Sequence, residues 1–175
     1  MSKILLPRFL TEEVAQNAFE TVRTMMITGL NGGIKPFSNL KRTDLHIIIL
    51  VPAMIGTENE EGYPNYGLKP HILIEQSLGD KKKWDHPYDE IARCKALQIW
   101  HDRNDGSYTQ PHLLFPNDTP YFGGVKMDGI VVGCSGVQPW FDQMIARVIA
   151  CLCIGQARHD WEESRDNRES FDFLK

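Results

Sequence analysis

The chain has 175 residues, 42% hydrophobic and 24% charged, with a net charge of −4. That length suits one domain with a substantial core, and the acidic balance excludes the basic footprint of a nucleic-acid-binding protein. Its longest apolar run near the C-terminus, Val148 to Ile154, falls far short of a membrane span. The opening MSKILLPRFL lacks an apolar leader core and a small-residue cleavage site. The expectation is a soluble cytoplasmic protein with no nucleic-acid or membrane partner.

Taken in chain order, Val14, Ala15, Ala18, Phe19, Val22 and Met25-Met26 recur at helical spacing. Thr11 is a suitable N-cap, Glu12 and Glu13 suit the first turn, and GLNGG at 29–33 ends the helix. Leu45 to Val51 is a continuous, β-branched run that predicts a buried strand stopped by Pro52. Residues 55–69, IGTENEEGYPNYGLK, are polar and rich in Gly, Asn and Pro, and predict a long loop or flap. His71 to Gln76 reads as a second strand, and Lys81-Lys82-Lys83, between Asp80 and Asp85, reads as a solvated loop. Pro87 fits the start of a second helix that carries Ile91, Ala92, Cys94, Lys95, Leu97, Ile99 and Trp100.

Residues 107–120 read as irregular, Tyr121 to Ser135 as glycine-rich strand sequence, and Pro139 opens a last helix running to about Trp161. The order helix, strand, strand, helix, strand, strand, helix predicts an α+β domain, an antiparallel sheet with packed helices, over residues 1–161. A charged tail, 162–175, follows it. The last helix is apolar nearly all round from Met144 to Ile154, which predicts burial on several sides. A subunit interface is one natural cover, with Trp140, Phe141 and Trp161 as aromatic anchors.

The stretch FGGVKMDGIVVGCSGVQPWFDQ, from Phe122 to Gln143, needs separate treatment. Gly124 and Gly129 have the spacing of a phosphate-binding loop, but Ile130 and Val131 stand where that chemistry needs a lysine and a hydroxyl. Gly133 and Gly136 do not make a dinucleotide fingerprint either. Asp128-Gly129 is a favoured hairpin pair, with Gly123-Gly124 a rival turn. Gly133-Cys134-Ser135-Gly136 leads from strand to helix, either as a structural turn or as part of a ligand site. A helix N-terminus there offers anion-binding donors, although Pro139 lacks one.

The six histidines show no HxH or HxxxH spacing, so no metal motif is present. His46 and His71 fall in strands with no paired acid or Cys nearby in sequence. His86 and His101 flank the second helix, and His112 lies in a proline-rich loop. One haem-ligating histidine among these is an open alternative to purely structural roles. The four cysteines lack CxxC spacing, and Cys151 and Cys153 project about 200° apart on a helix. They read as small buried thiols. Cys134, just before the last helix, is also a candidate nucleophile if the helix dipole lowers its pKa. Lys95, a lone cation in an apolar helix, needs a partner: a ligand carboxylate, a salt bridge, or an escape to solvent.

Together these features resemble the HbpS-like/GlcG-like family of small haem-binding or haem-degrading-type proteins, which includes a domain of the propanediol-utilisation protein O. The shared signature runs through Gly123-Gly124, Asp128-Gly129, Val132-Gly133, Gly133-Cys134-Ser135-Gly136, Asp142 and Ile145-Ala146. The Ala-x-x-Lys-Ala of the family's middle helix matches Ala92, Lys95 and Ala96, and Leu10 to Ala15 matches the opening of its first helix. The resemblance implies a profilin-like fold and a homo-oligomer. It implies a small-molecule ligand, either a haem-like tetrapyrrole as cofactor or a small organic acid.

On that basis Lys95, His101, Gly133, Cys134, Ser135 and Gly136 are the expected ligand-binding residues, with no metal ligands. Two alternatives stand beside a binding protein. One is a hydrolase or lyase acting on a small carboxylated metabolite through Lys95 with His101 or Cys134. The other is an oligomeric interaction protein without a small ligand.

Overall fold

Thr11 is the N-cap of the first helix, α1 (Glu12–Asn31), its hydroxyl accepting the Val14 N–H at 3.2 Å. Gly33 closes it at φ +65°, where the Ile34 N–H reaches back to the Gly29 carbonyl at 2.8 Å, the bond of a Schellman stop. The computed structural model describes residues 3–58 and 64–164. A short strand, β1 (Lys3–Leu5), precedes α1; then follow β2 (Leu45–Glu58), β3 (Pro64–Leu78), α2 (Tyr88–Trp100), β4 (Gly124–Met127), β5 (Ile130–Ser135) and α3 (Pro139–Glu163). All strand pairs are antiparallel, in one mixed α+β domain.

β2 is the central strand. One of its edges pairs β3 throughout, while the other pairs β5 from His46 to Leu50 and β1 from Met54 to Gly56. β4 lies outside β5. The continuous run of β2 is buried on both faces. Ile47, Ile49 and Val51 join the core under α1 and α3, whereas Ile48 and Leu50 join a smaller core under α2. The result is three layers, with α2 alone on one side of the sheet.

Two expectations are corrected here. Pro52 does not stop the strand, and most of the expected flap at 55–69 is strand: β2 runs to Glu58 and β3 starts at Pro64. Residues 59–63 lie outside the described residues. Pro52 faces Pro70 across the β2–β3 ladder and, on its other edge, sits between the stretch paired to β5 and the stretch paired to β1. A missing N–H is tolerated where neither neighbour requires it. Polar composition predicted a loop, but the long hairpin extends the ladder instead.

The hairpin between β4 and β5 turns on Asp128-Gly129, with φ +46° and +86°, the double positive φ of a type I′ turn. The rival Gly123-Gly124 is not the turn. The last helix is buried from two sides by the sheet and α1, while Arg147 and Cys151 face outward. It also runs past Trp161 to Glu163, and residues 165–175 lie outside the described residues.

Candidate functional site

Where β5 leaves the sheet, the starts of α2 and α3 converge. α2 presents Lys95 at 1% exposure, and α3 presents Asp142 at 2% in its first turn. The Lys95 ammonium donates to Asp142 Oδ2 at 3.0 Å and to the Cys134 carbonyl at 2.8 Å. Asp142 Oδ1 accepts the Val137 N–H at 3.2 Å and faces the Cys134 thiol at 3.5 Å. Burial pushes the Asp142 carboxyl up to about 6 against the opposing pull of Lys95. Asp142 therefore stands close to taking a proton near neutral pH.

Close approach makes this junction possible. A Cβ on Gly133 would stand 2.6 Å from the Ala92 carbonyl and 2.8 Å from Ala96 Cβ, so α2 rests directly on β5. Gly136, at φ +141°, passes so near the Asp44 carbonyl that a Cβ would stand 2.2 Å from it. These two glycines set the depth at which Lys95 meets Asp142.

Beside the pair opens a cleft of ≈ 180 Å³, lined by Arg42, His86, Tyr88, Tyr121, Ser135 and Gly136, with Lys95 and Asp142 at its base. Arg42 hydrogen-bonds the Tyr88 hydroxyl, lies 5.8 Å above that ring, and pairs with Asp85 at 3.5 Å. Its side chain remains 41% exposed, so the guanidinium keeps N–H groups toward solvent.

The expected ligand-binding residues separate on this geometry. Lys95, Ser135 and Gly136 reach the cleft. The charge of Lys95, however, is matched by Asp142 rather than left for a ligand. Gly133 and Cys134 lie behind the cleft: Gly133 is under α2, and the Cys134 side chain points into the core beneath α1 and α3. Burial, reinforced by Asp142, pushes the Cys134 thiol well above its ordinary range, the reverse of an activated nucleophile.

His101 is exposed at the C-cap of α2 and takes no part in the cleft. Lys95 and His101 do not share the cleft, and Lys95 meets Cys134 at its backbone carbonyl rather than at its thiol. Of the four free thiols, Cys134 and Cys153 are buried as expected, but Cys151 is exposed and Cys94 half-buried. Asp142 places a carboxylate in the first turn of α3, where it accepts the Val137 N–H just ahead of the helix.

Sequence reasoning missed Arg42, Tyr88 and Tyr121, whose role depends on loops that meet only in the fold. The aromatic cluster Trp84-Asp85-His86-Pro87-Tyr88 was the available signal. His46 is the buried strand histidine that a structural role requires, but its partners were not foreseen: Nδ1 lies 2.8 Å from Ser77 Oγ and Nε2 lies 2.7 Å from Glu75 Oε1. Among the described residues there is no metal-ligating cluster, and no helix is long and apolar enough to cross a membrane. Comparison of the chain with protein families, curated proteins and solved structures finds no match.

Proposed function

We propose that this is a small-ligand-binding domain of the HbpS-like/GlcG-like type whose ligand is a small organic acid held in the cleft beside Lys95–Asp142. The observation that carries this reading is the convergence of Arg42, His86, Tyr88, Tyr121 and Ser135 on one ≈ 180 Å³ cleft. Arg42 supplies the forked donor that a carboxylate fits. The neutralised pair below adds polarity without net charge, and one of the three Lys95 donors has no protein acceptor among the described residues.

Size favours one of the two ligand classes. Sites for drug-sized molecules begin at about 300 Å³, so this cleft suits an acid of a few carbon atoms rather than a tetrapyrrole. The resemblance gains support from where its motifs meet. Gly123 approaches Asp142 so closely that a Cβ would lie 2.6 Å from the Asp142 Cβ, and Gly133 seats the Ala92–Ala96 turn that carries Lys95. The same resemblance brings a profilin-like arrangement, self-association and a cytoplasmic location into the proposal. The cleft itself favours a ligand over a purely structural assembly role.

Calorimetric titration with acetate, glycolate, malonate and succinate tests this function. At least one should bind, and Arg42→Ala should weaken it by about tenfold or more, the loss of a charge-assisted contact of roughly 1.4 kcal/mol or above. Absence of binding by all four acids at millimolar concentration, with haem binding instead, would reject it.

A further inference from the structure

A second cluster lies outside the cleft, on the α2 side of the sheet. His46 and Ser77 are direct cross-strand partners on β2 and β3, so their side chains share a face. Glu75, two residues before Ser77, projects to the same face, and Arg93 reaches it from α2 with Nε 2.6 Å from Glu75 Oε1. Four side chains from three elements therefore form a chain: Ser77, His46, Glu75, Arg93.

The protonation pattern in this chain is determined by its neighbours. Burial pushes the Glu75 carboxyl up, but hydrogen bonds from Arg93 and His46 outweigh it and the net shift is downward. Glu75 is then an ionised acceptor, so His46 Nε2 carries the hydrogen and donates to it. Burial pushes His46 below its ordinary 6.5 despite Glu75, leaving the ring neutral at physiological pH. A neutral ring protonated at Nε2 has its lone pair on Nδ1, the atom 2.8 Å from Ser77 Oγ. The serine hydroxyl must donate to it.

A histidine satisfied in this way is a sound structural element. Three further features exceed that role. Ser77 is half-buried rather than enclosed. Arg93 fixes the acid that orients the ring. Trp84, set edge-on to His46 at 6.1 Å, has a buried indole N–H without an acceptor among the described residues. A buried donor without a partner is rare and needs an explanation; the oxyanion of an acyl-transfer intermediate is an acceptor of the right kind. Trp84 also borders a shallow hollow of ≈ 390 Å³ lined by Lys81, Asp85, His86, Pro87 and Asp89.

We propose that Ser77 and His46 form a nucleophile–base pair, positioned by Glu75 and Arg93, that transfers acyl groups from short esters. Ser77 Oγ bonds to the ester carbonyl carbon while its proton passes to His46 Nδ1. Collapse of the tetrahedral adduct breaks the carbon–oxygen bond to the alcohol, which leaves with that proton. Water then attacks the acyl-serine, giving its proton to His46, and release of the carboxylic acid returns the proton to Ser77. The groups facing His46 that modulate it are Glu75 of β3, Lys81 after β3, and Asp89 of α2. This site does not depend on ligand binding in the cleft.

The test uses the intact chain with p-nitrophenyl acetate and an alkyl fluorophosphonate, with labels located by peptide mass. One label per chain should fall on Ser77, and hydrolysis should rise with pH to a plateau whose midpoint lies below 6.5. Ser77→Ala should lose the label and at least tenfold of the hydrolysis, while Ser38→Ala retains both. Glu75→Gln removes the charge that favours imidazolium, so the midpoint should move to lower pH as the plateau falls. An unlabelled wild type, a label located elsewhere, or a Ser77→Ala protein as active as wild type would overturn the proposal. Locating the label on the wild type does not depend on any variant folding.

Discussion

Replacing Lys95 by Met isolates the energetics of the buried pair. The ammonium is 1% exposed and the carboxylate 2%, so removal of one strands the other where water cannot solvate it. Breaking a buried pair in this way costs about 3–5 kcal/mol, a large share of the roughly 5–15 kcal/mol that holds a domain together. For a chain of this length that is a fall in Tm of about 6–20 °C. Asp142 can relieve part of the loss by taking a proton. Lys95 holds its pKa down, so in the variant it rises above the present value of about 6. Because the folded state then binds a proton that the unfolded state lacks, the stability associated with this group falls as pH rises through that value. Urea unfolding of wild type, Lys95→Met, Asp142→Leu and the double variant should show the largest Lys95→Met penalty at about pH 8 and a smaller one at about pH 5. The double variant should lie closer to wild type than the sum of the single losses. A Lys95→Met penalty below about 1 kcal/mol at the higher pH, the range of an exposed pair, would refute the assignment of a buried, mutually dependent pair, as would simple additivity.

Gly133→Ala should destabilise by about 1–3 kcal/mol, since its Cβ would meet the Ala92 carbonyl at 2.6 Å and α2 must lift from the sheet; a denaturant midpoint unchanged from wild type would contradict that packing. His46 has a folded pKa below its unfolded 6.5, so its contribution is present above that pH and is lost as pH falls through the folded value. Wild type should therefore lose stability on acidification below about 6.5 more steeply than His46→Gln, and parallel curves from urea melts would count against the burial of that ring.

Much of the fold is written locally. The stripe of Val14, Ala18, Phe19 and Val22, the Thr11 cap, the β-branched run at 45–51, the Asp128-Gly129 turn and Pro139 are each a short-range instruction, and each element formed where those residues stand. The failures were of another kind. Pro52 is compatible with a strand because of what lies on either side of it, and residues 55–58 and 64–69 extend because two strands pair across them. Neither circumstance is visible in the local composition.

The site divides on the same line. That Lys95 needs a partner follows from one charged side chain in an apolar helix, and the sequence determined that much. Which partner it takes depended on the close approach of α2 and β5 at Gly133, which brings Lys95 against an acid 47 residues away. His46 finds Glu75 and Ser77, some thirty residues along the chain, only because β2 and β3 pair in one register. Hydrophobic periodicity and turn chemistry act over a few residues and are legible in order along the chain. Ion pairs, relays and clefts are set by distances through space, and only the packed sheet and helices determine those.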